Sequence, residues 1–195
     1  MISDGEPSWH AVVSIKSLDQ AMGMAEDVIA ALVRARVVAG VVVVCDDPPI
    51  CRMARSYGAD VLRDPGGGLN AAFCQGTRLR ARADCRVCLV MADLPCLTAE
   101  LVDTVLADAA RHRKAVVPDL AGTGTTMLTS AAGTVTSPRF GPGSFRRHVA
   151  SGAQPIALDV PQVRCDVDTP EDLRVALRLE ISRNTAAAVA MTTTW

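Results

Sequence analysis

Arg86-Val87-Cys88-Leu89-Val90-Met91-Ala92-Asp93-Leu94-Pro95 is the stretch on which the reading of the fold turns. Positions 87–91 are apolar without alternation, the signature of a strand buried on both faces, as in a parallel sheet. The run delivers Asp93 at its carboxyl end, where open parallel sheets place their ligands. Outward from it, apolar and amphipathic segments alternate. Strands are expected at 10–15, 41–45, 60–62 and 115–118 and near 156–158. Helices are expected at 21–35, 49–57, 70–83, 99–112 (capped by Thr98), 144–150 and 170–179. Between 122 and 137 the chain is rich in glycine and threonine, with short β-prone pieces. This rhythm predicts one α/β domain over 8–182, a Rossmann-like, mostly parallel sheet flanked by helices, with 1–7 and 183–195 as flexible tails.

The composition narrows the function. The chain has 195 residues, 49% of them hydrophobic, enough for one substantial core. Its formal charge of −1 removes the electrostatic case for nucleic acid. The longest apolar stretch, 37–45, is too short to span a membrane, and the first residues lack a signal-peptide pattern, so a cytoplasmic protein is expected. Two lysines, Lys16 and Lys114, stand against eighteen arginines, which makes Lys16 conspicuous. The seven cysteines are expected as free thiols. Cys85 and Cys88 form C-x-x-C at the start of a strand, where residues three apart point to opposite faces and cannot chelate one ion.

Asp93 reads either as a metal-binding carboxylate or as the cap of a turn before Pro95. In Asp166-Val167-Asp168-Thr169-Pro170-Glu171-Asp172, Thr169 is a helix N-cap, Pro170 takes the first helical position, and Glu171 and Asp172 suit the first turn. Asp166 and Asp168 share one face of an extended segment. One of them can ligate a cation while the other hydrogen-bonds locally, and Asp93 with Asp168 would suffice for Mg²⁺, with Asp166 as a further candidate, because phosphates and waters complete its octahedron. Gly122-Thr123-Gly124-Thr125-Thr126 is either a β-turn or a loop whose N–H groups meet an anion. Phe140-Gly141-Pro142-Gly143-Ser144 leads into a helix whose N-terminus suits phosphate or carboxylate, or is simply capped by Ser144. Arg146, Arg147 and His148 read either as positive charge added near this site or, more readily on an exposed helix, as a solvated face. Gly66-Gly67-Gly68-Leu69-Asn70 could approach a ring or phosphate, or serve as an ordinary loop. No G-x-G-x-x-G follows the first strand, which argues against a dehydrogenase.

In order along the chain, Gly67-Gly68-Leu69-Asn70-Ala71-Ala72, Ala92-Asp93-Leu94-Pro95, Gly122-Thr123-Gly124-Thr125, Pro138-Arg139-Phe140-Gly141-Pro142-Gly143-Ser144 and Cys165-Asp166-Val167-Asp168-Thr169-Pro170 resemble the phosphoenolpyruvate or 2-phospho-L-lactate guanylyltransferase family of coenzyme F-420 biosynthesis. The resemblance implies a MobA-like nucleotidyltransferase fold. It implies transfer of GMP from GTP to a three-carbon phospho-acid, most readily phosphoenolpyruvate, with release of pyrophosphate. It assigns Mg²⁺ to Asp93 and Asp168, the phospho-acid to Thr125, Gly141 and Ser144, and the nucleotide to Lys16, Gly67, Gly68 and Asn70. GTP and a small phospho-acid are the expected partners, and a homo-oligomer is left open.

One departure carries an alternative. The family continues from the first strand as K-x-L-x-x-A-K-S-R-L. Here Lys16-Ser17-Leu18-Asp19-Gln20-Ala21 runs through Met22-Gly23 directly into the next helix, without the second lysine and the arginine. A nucleotide-binding homologue with weak or no catalysis is the corresponding second expectation.

Overall fold

The computed structural model describes residues 9–15, 22–80, 85–134 and 137–192. Seven strands form one sheet: β1 (Trp9–Ser14), β2 (Val38–Val44), β3 (Asp60–Leu62), β4 (Arg86–Val90), β5 (Lys114–Pro118), β6 (Thr125–Ser130) and β7 (Gln154–Pro155), in the order β3-β2-β1-β4-β6-β5-β7. Every neighbouring pair is parallel except those made by β6, which runs antiparallel to both β4 and β5. The helices are α1 (Met22–Arg34), α2 (Pro48–Ser56), α3 (Leu69–Arg80), α4 (Ala99–Ala109), α5 (Ser144–Ala150), α6 (Pro170–Arg178) and α7 (Arg183–Thr192).

The central strands are apolar on both faces because both faces are covered. Ala11, Val13, Val41, Val43, Cys88 and Val90 pack with Val28, Ile29 and Leu32 of α1, Ile50 of α2, and Val102, Val105 and Leu106 of α4. Their neighbours Val12, Val42, Val44, Val87 and Leu89 face the other way, onto Ala72 and Phe73 of α3 and onto Phe140. This alternation is the period-2 consequence of the pleat. Gly76 lets α3 lie directly on β1, since a Cβ there would run into Val12. Burying so many Val, Leu and Ile side chains, each contributing about 1.5–3 kcal/mol, is the main favourable term holding the three layers together.

The expected mostly parallel, helix-flanked sheet is the one observed, with three corrections. The stretch from 122 supplies a full central strand, β6, inserted between β4 and β5. The strand expected near 156–158 stops earlier: Pro155 has no N–H for a ladder, and after it only the Ile156 N–H reaches Val116 O, at 3.0 Å. The flexible tail expected from 183 is, over Arg183–Thr192, a helix packed on α1. Asp27 of α1 accepts the Asn184 and Thr185 N–H groups at 3.1 and 2.8 Å, with the Asn184 Nδ2 and Thr185 Oγ1 groups as well. A buried carboxylate on one helix thus serves the open N–H groups of another. Residues 1–7 and Lys16, with the stretch through 21, lie outside the described residues.

Candidate functional site

At the carboxyl ends of the parallel strands lies a cavity of about 330 Å³ walled by Leu69, Met91, Asp119, Thr123, Gly124, Thr125, Phe140, Gly141, Pro142, Gly143, Ser144, Asp166 and Asp168. It brings together Thr125, Gly141, Ser144, Asp166 and Asp168 from the sequence-derived candidates. Asp93, Gly67, Gly68 and Asn70 are not among its walls, although Asp93 lies close enough to feel the charges of Asp166 and Asp168.

The acidic side is built by two strand ends. β4 leads through Met91 to Asp93, whose carbonyl accepts the Val167 N–H at 3.0 Å, tying the first acidic segment to the second. The Asp93 Oδ1 atom is buried and has no hydrogen-bond partner. Burial, then the charges of Asp166 and Asp168, push the Asp93 carboxyl up to about 7. Asp166 is pushed up to about 6 by burial and by Asp119, Asp168 and Asp172. Asp168 stays in place through α6, where Thr169 and Asp172 form a capping box and Asp172 also accepts the Asp168 N–H at 3.3 Å. The Thr169 cap and Pro170 start are as the sequence predicts.

Carboxylates that oppose one another's ionisation, one with an orphaned buried oxygen, suit a divalent cation, which favours their charged form. Among the described residues no three His, Cys, Asp or Glu side chains converge as a complete cage. A Mg²⁺ site of few carboxylates, completed by ligand oxygens and water, fits this arrangement.

The same cavity is lined by a hydroxyl pair on a braced loop. Thr125, at the start of β6, and Ser144, the first residue of α5, are both buried, with their Oγ atoms 3.1 Å apart. The Thr125 Oγ1 atom also lies 3.0 Å from Nδ1 of His148, whose Nε2 accepts the Arg139 N–H at 2.9 Å. Burial, with Arg147 and Arg139 nearby, pushes the imidazole down to about 4, so it is neutral at neutral pH. The Phe140 ring sits between Phe73 and His148, at 4.7 and 5.1 Å between centroids. Asn70 donates to Phe140 O at 3.2 Å and accepts Phe140 N–H at 2.8 Å. Arg147 donates to the carbonyls of Arg139, Gly141 and Pro142. The left-handed φ values of Gly141 and Gly143, 115° and 70°, let the chain turn from this loop into α5.

One open choice is settled here and two sequence readings change. Of the two readings of 122–126, the structure shows the turn at 122–124, leading into β6, and its donors are spent internally: Asp119 accepts the Gly122 N–H on its carbonyl and those of Thr123 and Gly124 on its carboxylate, at 2.8 and 2.6 Å for the latter two. The first N–H groups of α5 are likewise engaged, Ser144 with Gly141 O and Phe145 with Thr123 O, and Gly143 rather than Ser144 is the cap. His148, read as solvated, is fully buried. Two signals could have shown this: Ser144 and His148 are four apart, on one helix face, and an Asp before a glycine-rich loop marks a side-chain-to-backbone turn.

The sequence from β1 to the end of α6 carries the deciding likeness: the family described as "Guanylyl transferase CofC like" matches residues 14–181. The chain belongs to this family. The phosphoenolpyruvate guanylyltransferase of Streptomyces coelicolor is 45% identical to this guanylyl transferase, over 93% of this chain and 96% of the relative. That of Streptomyces scabiei is 46% identical, over 87% and 82%. Among solved structures, a proposed nucleotide-diphospho-sugar transferase of Desulfovibrio desulfuricans G20 shares the fold at a TM-score of 0.72 and 15% identity, covering 95% of both chains.

Proposed function

We propose that this chain transfers GMP from GTP to phosphoenolpyruvate, with Mg²⁺ at Asp93 and Asp168, and that its product serves coenzyme F-420 biosynthesis in the cytoplasm. The observation that carries this reading is one cavity whose lining offers carboxylates for a cation, Asp166 and Asp168 with Asp93 near them, and hydroxyls for an anion, Thr125 and Ser144. The naming of relatives at 45% and 46% identity supports the choice of acid.

In the reaction, a phosphate oxygen of the acid attacks the α-phosphorus of GTP. The bond from that phosphorus to the oxygen bridging to the β-phosphorus breaks, and pyrophosphate leaves with the electron pair. Bound Mg²⁺ supplies charge neutralisation at the phosphates. The remaining work is positioning. Thr125 and Ser144 offer hydroxyl hydrogen to the acid, and Gly141 leaves room beside them. Asp93, Asp166 and Asp168 hold the cation side. Gly67, Gly68 and Asn70 at the start of α3, with Lys16, take the nucleotide. Among the described residues no helix is long and apolar enough to cross a membrane, which is compatible with freely diffusing substrates.

The test is pyrophosphate release by the purified chain with GTP and Mg²⁺, offered phosphoenolpyruvate, 2-phospho-L-lactate and 3-phosphoglycerate separately. Release with none of the three refutes the reading. The missing lysine and arginine after Lys16 support a second reading, GTP binding with weak turnover, since such phosphate contacts contribute several kcal/mol to phosphoryl-type transition states. It requires GTP binding without release, and gain of activity when the family's stretch is inserted.

A further inference from the structure

The hydrogen bonds around His148 set a direction as well as a geometry. The Arg139 N–H that reaches Nε2 can only donate, so Nε2 is an acceptor and the neutral ring carries its proton on Nδ1. That proton is donated to Thr125 Oγ1, 3.0 Å away. The Thr125 and Ser144 hydroxyls then share one hydrogen bond. They hold two protons between them, and one is spent on that bond. Whichever way it runs, the second proton is left for the cavity whose wall both residues form.

We propose that His148 is a positioning residue that turns this hydroxyl pair outward as a donor, so that it meets an anionic oxygen of the phospho-acid with hydrogen. The proposal rests on the reading of this cavity as the acid's seat. With the proton on Nε2 instead, the ring would accept from Thr125, Thr125 would accept from Ser144, and only lone pairs would face the cavity. An anion would be repelled there, whereas a donated charge-assisted bond attracts it. The ring is held in place: it is fully buried and edge-on to Phe140. The backbone that supplies the Arg139 N–H is itself braced by Asn70 and Arg147.

The chain has three histidines, so ¹⁵N-histidine NMR of the wild type, assigned with a His148 variant, reads the tautomer directly. The expected result is a protonated Nδ1 and a bare Nε2, and a protonated Nε2 overturns the proposal whatever the protein binds. Two variants then separate donation from packing. His148→Asn keeps an N–H near Nδ1, while His148→Gln keeps only an acceptor near Nε2. Gln should raise KM for phosphoenolpyruvate about tenfold and KM for GTP less than about twofold, with Asn recovering most of the loss. Equal effects of Asn and Gln, or equal effects on both substrates, overturn the proposal. Melting curves establish that both variants fold. If the wild type turns over no phospho-acid yet shows the Nδ1–H tautomer, the substrate reading falls and the outward polarity of the pair stands.

Discussion

The carboxamide of Asn70 and the backbone of Phe140 are joined at both ends, one bond donated and one accepted, across 70 residues of sequence. A side chain at the start of α3 therefore sets the position of a loop that lines the same cavity as the aspartates. The family resemblance gives Asn70 to the nucleotide, while this pairing gives it a share in the loop that lines the proposed seat of the acid. Asn70→Ala leaves the Phe140 N–H without its partner, at a cost of about 1–3 kcal/mol. KM for phosphoenolpyruvate should rise more than KM for GTP in steady-state assays. The reverse order would place its main duty on the nucleotide.

Asp93 should trade stability for activity. Its buried, unpartnered oxygen beside Asp166 and Asp168 is unfavourable without a cation. Asp93→Asn is expected to raise Tm of the EDTA-treated protein at pH 8, by about 2–4 °C for each kcal/mol relieved. The same change should abolish the rise in Tm on adding Mg²⁺ and lower pyrophosphate release at least about a hundredfold. Calorimetry with and without Mg²⁺ reads the first two, and a pyrophosphate assay the third.

Gly124 is required by its neighbour. A Cβ at this position would run into the Asp119 carboxylate that accepts the Gly124 N–H. Gly124→Ala should destabilise the fold by about 1–3 kcal/mol in urea titration. It should also raise KM for the acid, because Thr125 follows directly in the chain.

His148 predicts a pH effect with a definite sign. Its folded pKa is depressed to about 4 by burial and by Arg147 and Arg139, so the unfolded chain binds this proton first as the pH drops. The stability it contributes is present above about pH 6.5 and is lost as the pH falls toward 4. Asp93 and Asp166 in the metal-free protein titrate in the opposite sense over an overlapping range, so the measurement is a difference. The gap in unfolding free energy between wild type and His148→Gln should shrink as the pH is lowered through that window.

The parts of this site legible in the sequence are those governed by near neighbours. An uninterrupted apolar run ending in Asp93, and Thr169 before Pro170, declare a buried strand and a helix start by local rules alone, and both stand where expected. What stayed hidden depends on residues far apart. The antiparallel entry of β6 is decided by pairing with β4, about 40 positions back, and nothing within 125–130 states that direction. The burial of His148 follows from Phe140 and Arg139 folding over it, and α7 is docked through Asp27 although its own sequence has little amphipathic pattern. Asp119 lay between: its Asx-type turn was readable, but its place beside Asp166 was not.

The Asp27 clasp bears on how the chain is completed during synthesis. Its partners stand 157 and 158 residues downstream, so α1 can form early while its inward carboxylate waits for α7 to leave the ribosome. An uncompensated charge on an otherwise apolar face opposes early closure of the β1–α1–β2 unit. The β1–α1–β2 unit thereby gains its full set of partners only when α7 docks against it.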